Sequence, residues 1–196
     1  MDLDMGDAIV EPEEVAPERI RTLRRAEFEV LVNAGAFEEE RLELLAGHLV
    51  TMSAQTAEHA QLAARLNEVF VKGVPADYIV RPQLPFALSH DSEPAPDLAI
   101  CPRTAFHEGH PAAAVLIVEI AAATGTLDRG LKLRLYADED IPEYWVIDAK
   151  TLAIEVHREA RRGRYQTVTR IDRRTRIEPL AFPGLVICLG ELVRRP

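Results

Sequence analysis

The fold is decided by PDLAI at 96–100, VLIVEI at 115–120 and LDRGLKLRLYADEDIPEYWVID at 127–148. The first two are short apolar runs typical of buried strands, and the third begins as a helix and ends in a further strand. Strands that alternate with a helix predict an α/β domain with a mixed sheet flanked by helices. The two short runs each carry one carboxylate, Asp97 and Glu119, and the helical stretch carries Lys132.

These three charged residues form a candidate metal site. Asp97 opens its predicted strand and Glu119 closes the next, so antiparallel pairing would place both carboxylates at one edge of the sheet. Mg²⁺ prefers oxygen ligands and needs only one or two carboxylates beside a phosphate. An ammonium such as that of Lys132 could neutralise charge that develops in the transition state. The pattern favours metal-dependent cleavage of a phosphodiester.

Structural explanations of the same residues stay open. Asp97 follows a proline and could simply cap a turn. Asp128 and Lys132 are four residues apart, so an ordinary helix ion pair worth ~0.2–0.5 kcal/mol would account for both. Glu119 is harder to explain in this way, because a glutamate within an apolar run is almost never buried unless it is paired or bound to a metal.

Length and composition limit the class of protein. The chain has 196 residues, of which 47% are hydrophobic, enough for one well-buried domain. No apolar run approaches the ~20 residues of a membrane helix, and the acidic start lacks the order of a secretory signal. The two cysteines, Cys101 and Cys188, form neither a disulfide framework nor a zinc cluster, which indicates a reduced, cytoplasmic setting.

The net charge of −9 is concentrated at the start of the chain. Residues 1–18 hold seven acids and no Lys or Arg, whereas the remainder has 25 acids and 23 bases. We therefore expect a disordered acidic arm at 1–18 and a single domain at 19–196. The arm could also mimic nucleic acid and shield a basic site, or engage a basic partner as part of a regulatory protein.

Periodicity and turn residues predict the remaining elements. They are helices at 23–34, 55–72 and from Thr124 or Thr126 to Asp138, hairpins turning at 46–47 and 161–163, strands at 78–81 and 84–88, and a C-terminal strand with a short helix.

The second hairpin lies in an arginine-rich segment. Residues 157–176 hold eight arginines and two acids. Guanidinium groups suit phosphate, so this segment could bind nucleic acid. Charge on a solvated hairpin could equally protect a sheet edge.

The stretch from Val118 to Asp148, with PAPDLAI before it and LELLAGHLVTMSAQTAEHAQLAARL at 42–66, resembles the Uma2 family of restriction-endonuclease-like proteins. That family belongs to the PD-(D/E)XK nuclease superfamily. The resemblance covers roughly residues 20–190 and implies a restriction-endonuclease-like fold. It also implies a Mg²⁺- or Mn²⁺-dependent nuclease that acts on nucleic acid, with DNA as the expected substrate, and a homodimer.

Site residues follow from the resemblance by position. Asp97 matches the first acid and Glu119 the second, as metal ligands. Lys132 takes the place of the superfamily lysine, and Glu43 matches an early glutamate that would face the metal. His59 matches a histidine that opens a helix, although a surface role explains it as well.

One segment departs from the Uma2 pattern. Family members usually have polar residues after the second acid, whereas this chain has Ala121-Ala122-Ala123. If those polar side chains orient the ligands, their loss weakens the site. The alternative function is therefore a weak or inactive relative that acts as a dimeric module binding nucleic acid or another partner.

Overall fold

The computed structural model describes residues 21–106, 109–121 and 125–193. The predicted acidic arm at 1–18 and two of the three alanines, Ala122 and Ala123, lie outside this part. The described residues form an α/β fold with a six-stranded mixed sheet flanked by helices, as the sequence predicted. None of the helices described is long and apolar enough to cross a bilayer.

The strands of the six-stranded sheet are β3 (Tyr78–Arg81), β4 (Leu98–Pro102), β5 (Leu116–Ala121), β6 (Glu143–Asp148), β7 (Ile154–Arg161) and β8 (Arg164–Ile171). They lie side by side in this same order, from one edge of the sheet to the other. Only β5 and β6 run parallel, because a helical crossover joins them, and every other neighbouring pair is antiparallel.

A separate hairpin, β1 (Leu42–Leu45) and β2 (His48–Thr51), packs beside the main sheet. Its turn residues, Ala46 and Gly47, have φ angles of 49° and 79°. Two positive φ angles define the type I′ turn whose twist matches that of the strands. The hairpin predicted at 46–47 is therefore confirmed, and so is the one at 161–163, where Arg162 and Gly163 have φ angles of 51° and 72°.

Within the described residues there are four α-helices, α1 (Arg25–Asn33), α2 (Ala57–Gly73), α3 (Leu133–Asp138) and α4 (Leu189–Leu192). In α2 the Thr56 hydroxyl caps the first turn, and the buried stripe of Leu62, Leu66 and Phe70 faces the sheet. Both long helices agree with prediction to within two residues.

Two apolar cores cover the two faces of the sheet. The first contains the stripe of α2 and Trp145, and the second contains Tyr136, Tyr144 and Ile117. All six residues of β5 are buried, as expected of a central strand with helices on both faces.

Two predicted strands are wrong. The segment 84–88 is a loop, because Pro82 and Pro85 remove donors from a ladder and Gln83 between them has a φ of 50°. The C-terminal strand is reduced to a single bridge between Ile177 and Ile187 before α4 begins.

Glu143, the first residue of the EYW sequence at 143–145, links the sheet to the C-terminal segment. Glu143 is fully buried, and its Oε1 accepts hydrogen bonds from Trp145 Nε1 at 2.9 Å and Arg158 Nε at 2.8 Å. Its Oε2 accepts one from the Leu180 amide at 2.6 Å. This buried carboxylate therefore joins β6, β7 and the C-terminal segment.

Candidate active site

Antiparallel pairing of β4 with β5 brings Asp97 and Glu119 together. Leu98 lies opposite Val118, so Asp97, which directly precedes β4, adjoins Glu119 in β5. The Asp97 amide donates to Glu119 Oε2 at 3.3 Å, and the Ile120 amide donates to Asp97 Oδ2 at 2.8 Å. Both side chains are buried. As the sequence predicted, they lie together at one end of the neighbouring strands β4 and β5.

Lys132 reaches these strand ends from the crossover between β5 and β6. Its ammonium donates to Glu119 Oε1 at 3.0 Å. The predicted regular helix is interrupted here, because Asp128–Lys132 forms a π-helical turn before α3 begins at Leu133. Such turns insert one extra residue and recur at functional sites. Lys132 thus ends the π turn, with its side chain directed at the two strands.

Glu43 completes the group from the hairpin. Its Oε1 accepts from Lys132 Nζ at 2.9 Å and from the Ala95 amide at 2.8 Å. The carboxylate is buried although β1 belongs to a separate sheet. All four predicted site residues, Asp97, Glu119, Lys132 and Glu43, therefore lie in one contiguous cluster.

Four more side chains lie at the cluster, and one of them, Asp128, has its Oδ1 4.0 Å from Lys132 Nζ. His59 Nε2 lies 2.7 Å from Asp97 Oδ1, and Gln83 Nε2 donates to the same oxygen at 3.1 Å. The Tyr136 hydroxyl donates to Glu119 Oε1 at 3.1 Å. A surface role for His59 is thus wrong, since its ring is largely covered and contacts the site.

Tyr136 and Gln83 were missed by sequence reasoning. Tyr136 follows Lys132 by four residues, so helical spacing places the two side chains on one face and could have indicated it. Gln83 sits between two prolines and carries no comparable signal.

Electrostatics in the cluster are governed by burial. Burial raises the pKa of the Glu119 carboxyl to about 8, although Lys132 acts in the opposite direction. Burial would lower the pKa of Lys132, but the attraction of Glu119, Glu43 and Asp128 outweighs it and raises that pKa above its ordinary value. Lys132 is therefore charged at neutral pH. Two donors point at Glu119 Oε1 and favour the ionised carboxylate, but burial outweighs them and the pKa of Glu119 stays raised.

The cluster opens into a groove. A cleft of about 330 Å³ is lined by Glu43, Asp97, Glu119, Lys132 and the loop at 51–55. A cavity of about 660 Å³ adjoins it at Ala54 and His59 and extends to Lys150 and Arg173. Another of about 800 Å³ shares Met52 and Ala95 with the cleft. The cleft at the site therefore adjoins two larger cavities.

The donor set is compatible with a hard divalent cation. Asp97 and Glu119 offer carboxylate oxygens on adjoining strands, as Mg²⁺ and Mn²⁺ prefer. Within the described residues, however, no three His, Cys, Asp or Glu side chains are arranged to hold an ion by themselves. Any bound ion would therefore complete its shell with water or substrate oxygens, as Mg²⁺ usually does.

Comparison with known proteins identifies the family. Residues 25–190 match the family model Uma2, described as "Putative restriction endonuclease". The chain belongs to the Uma2 family. No curated protein gave a significant match.

A solved structure shares the fold of this Uma2 protein. It is described as a "putative nuclease belonging to DUF820" from Anabaena variabilis. The TM-score is 0.69 at 17% sequence identity, and the match covers 88% of this chain and 97% of that one. At this identity the likeness shows the fold alone.

In this Uma2 protein, Ala121 is a structural residue. It is buried, and its carbonyl accepts a hydrogen bond from the Ala149 amide at 3.3 Å. A methyl group at this position contributes no ligand or orienting group to Glu119, two residues earlier.

The arginine-rich segment is only partly available to a ligand. Arg158 is bound to Glu143, with Nη2 2.6 Å from Oε1, and donates to the Glu178 carbonyl. Arg170 lies 3.5 Å from Glu155. The other exposed arginines of the segment are Arg161, Arg162, Arg164, Arg173, Arg174 and Arg176, the last of which lies 3.8 Å from Glu191.

Proposed function

We propose that this protein is a Mg²⁺- or Mn²⁺-dependent nuclease that hydrolyses phosphodiester bonds, with DNA as the expected substrate. One observation carries the proposal. The buried ammonium of Lys132 lies 3.0 Å from Glu119, whose other oxygen accepts the amide of Asp97 at 3.3 Å, and all three residues line one cleft. Burying two acids and a lysine together is costly for stability alone, so a catalytic use explains the arrangement.

Each side chain has a distinct role in this proposal. Asp97 and Glu119 would hold the ion, which when bound polarises a phosphoryl oxygen and lowers the pKa of a coordinated water. His59 and Gln83 fix the orientation of the Asp97 carboxylate, because both contact Oδ1. Tyr136 does the same for Glu119. Such supporting hydrogen bonds are worth about 10–100-fold in metal affinity at comparable sites.

Lys132 and Glu43 act as a pair. Glu43 Oε1 accepts a hydrogen bond from the Lys132 ammonium, as Glu119 Oε1 does, and so gives it a second anchor. In this position Lys132 can neutralise charge on a phosphate bound over the carboxylates, and Glu43 prevents it from turning away. A preoriented charge of this kind needs no reorganisation during the reaction.

The groove suggests how a strand would lie. The cavity with Lys150 and Arg173 presents two cations that attract phosphates, although Glu58 and Asp148 line it as well. The cavity at Met52 and Ala95 is lined by more acids than bases, so a phosphate backbone is less favoured there. We infer that a strand approaches past Lys150 and Arg173, and that binding weakens steeply with salt.

One observation favours the alternative of a non-catalytic binding module. The Lys132 ammonium already compensates Glu43 and Glu119, so the cluster is satisfied by protein groups alone. The methyl group of Ala121 adds no orienting group. On this interpretation the fold and groove bind nucleic acid or a partner without turnover.

Titration calorimetry with Mn²⁺ in the full chain tests the metal step. We expect heat from the wild type, and its loss in Asp97→Ala and Glu119→Ala. Asp172→Ala is a matched control, because that exposed acid lies in a turn outside the cluster. Silence in the wild type, or equal heats in all four proteins, would exclude the metal site.

Plasmid cleavage tests turnover. It should require Mn²⁺ and disappear in Lys132→Ala, while Lys72→Ala, which removes an exposed lysine of α2, should cleave like the wild type. Metal binding without cleavage in the wild type would support the binding module. The cytoplasmic location predicted from the sequence remains a separate prediction, for which fractionation of producing cells is the test.

A further inference from the structure

The cavity of about 800 Å³ lies between α1, the β1–β2 hairpin and the loop that precedes β4, and the proposed reaction does not use it. Cavities of about 300–1,000 Å³ are typical of sites that hold small ligands. Part of its wall is apolar, and the rings of Phe28 and Phe37 stack there with their centroids 5.9 Å apart. Val32 also lines it and keeps 47% of its surface exposed, so solvent can enter the cavity beside α1.

One carboxylate on this wall has no counterpart. Glu93 is only 5% exposed, and its Oε2 is buried without a hydrogen-bond partner among the described residues. Its backbone is fixed, because its amide and its carbonyl both pair with Leu44 of β1. The side chain is therefore held in the interior, where an unpaired carboxylate is costly unless a donor or a cation reaches it.

The neighbouring acid already has a cation. Glu29 pairs with Arg25, which also donates from Nε to the Ser89 carbonyl at 2.9 Å. The Glu93 carboxyl lies within hydrogen-bonding reach of the Glu29 carboxyl. Ionised carboxylates are acceptors only, so these two groups can meet through a shared proton or through a cation between them.

A proton fills this position only in part. Burial and the neighbouring Glu29 raise the pKa of Glu93 to about 7, although Arg25 acts in the opposite direction. Near pH 7 the buried carboxyl is therefore ionised about half of the time. A cation with N–H donors would satisfy the ionised form and displace the proton.

The other charges on the wall also favour a cation. Burial lowers the pKa of His110, so its ring is uncharged at neutral pH. The charged residues that remain are four acids and two arginines, namely Glu29, Glu38, Glu40, Glu93, Arg25 and Arg41. The excess of acids attracts a positive group and repels a phosphate.

We propose that this cavity binds a guanidinium group carried on an aliphatic chain, with Glu93 as its buried counter-ion and Glu29 beside it. Among organic cations a guanidinium fits best, because it is weakly hydrated, offers paired N–H donors to carboxylates and stacks on aromatic rings such as that of Phe37. The chain would lie against Val32 and Met52, which line the same cavity. The group belongs either to a free alkylguanidine or to an arginine of a partner, and its binding does not depend on nuclease activity.

An NMR titration of the full chain with n-butylguanidinium chloride tests the site. The titration is done in metal-free buffer at pH 7.5, so its result is independent of the metal site. We expect the amide signals of Phe28, Leu44 and Glu93 to shift. Glu93→Gln keeps the shape of the side chain but removes its charge, and should weaken binding at least about tenfold.

Glu39→Gln is the matched control. It makes the same change at an exposed acid that lies between two residues of the wall but does not line the cavity. Its affinity should equal that of the wild type. A wild type that does not bind, or equal affinities in the wild type and Glu93→Gln, would overturn the proposal and leave a shared proton as the only link between Glu93 and Glu29. Circular dichroism verifies that both variants are folded.

Two further probes define the ligand. n-Butylammonium chloride has the same chain and charge but no paired donors, so it should bind several-fold more weakly, and equal affinity would refute the choice of guanidinium. A capped Ala-Ala-Arg-Ala-Ala peptide distinguishes the two sources. Binding at least about tenfold tighter than that of n-butylguanidinium would assign the site to an arginine of a partner, and equal or weaker binding would assign it to a free alkylguanidine.

Discussion

The ammonium of Lys132 and the carboxylate of Glu43, 89 residues apart in the chain, form a buried ion pair with 2.9 Å between Nζ and Oε1. The same ammonium binds Glu119 at 3.0 Å. One cation therefore joins the β1–β2 hairpin to the central sheet and compensates two acids. The candidate site is thus also a structural junction, and the two roles can be separated experimentally.

Replacing Lys132 by methionine should destabilise the fold. The change keeps the bulk of the side chain but leaves Glu43 and Glu119 buried without their cation, which costs about 3–5 kcal/mol. Urea denaturation measures the loss. Lys72→Met removes an exposed lysine paired with Glu68 and should cost no more than about 1 kcal/mol. Similar losses in both variants would show that the Lys132 pair is unimportant for stability.

Glu143→Gln should lower stability without affecting metal binding. Glutamine keeps the shape of Glu143 but removes its charge and turns one acceptor into a donor, so the bond to Arg158 or Leu180 is lost. We expect a cost of about 1.5–3 kcal/mol in denaturation, typical of hydrogen bonds to a charged group. Affinity for Mn²⁺ should match the wild type, whereas Glu119→Gln should lose it. A fall in Mn²⁺ affinity in Glu143→Gln would contradict this division of roles.

His157 should make the protein sensitive to acid. Its ring is buried beside Tyr144 and Tyr165, and neither nitrogen has a hydrogen-bond partner in the described part of the chain. Burial lowers the pKa of His157, although Glu155 acts in the opposite direction. Below pH ~6.5 the unfolded chain therefore takes up a proton that the folded protein resists, and stability falls as pH falls.

The matching variant is His157→Phe, which keeps an aromatic ring at this position. Its melting temperature should decline less than that of the wild type between pH 7.5 and pH 5. Parallel declines would show that another group is responsible.

Glu93 should have the opposite dependence on pH. Burial and the neighbouring Glu29 raise the pKa of Glu93 to about 7. The folded protein therefore binds a proton that the unfolded chain releases near pH ~4.5, and stability falls as pH rises from about 4.5 to 7. Glu93→Gln, which cannot ionise, should gain up to about 3 kcal/mol over the wild type between pH 5 and pH 8. Denaturation midpoints at the two pH values measure the gain, and a constant difference would disprove it.

Local sequence determined the elements with short-range causes. The stripe at Leu62, Leu66 and Phe70 with the cap at Thr56 specifies α2, because helical spacing and capping act within a few residues. The Ala46-Gly47 and Arg162-Gly163 pairs specify hairpins, because glycine adopts positive φ without strain. The neighbourhood of Asp97 and Glu119 also followed from sequence, once antiparallel pairing of β4 and β5 was assumed.

Only the tertiary structure decided the rest. The contacts of Glu43 with Lys132, of His59 with Asp97 and of Gln83 with Asp97 join segments 89, 38 and 14 residues apart. Local sequence preferences do not predict which of these distant side chains come into contact. Their positions are set by the packing of hairpin, helices and loops against both faces of the sheet. The π turn that ends at Lys132 is also a result of tertiary contacts. It inserts an extra residue into the helix, which is tolerated because the carboxylates of Glu43 and Glu119 hold the lysine in place.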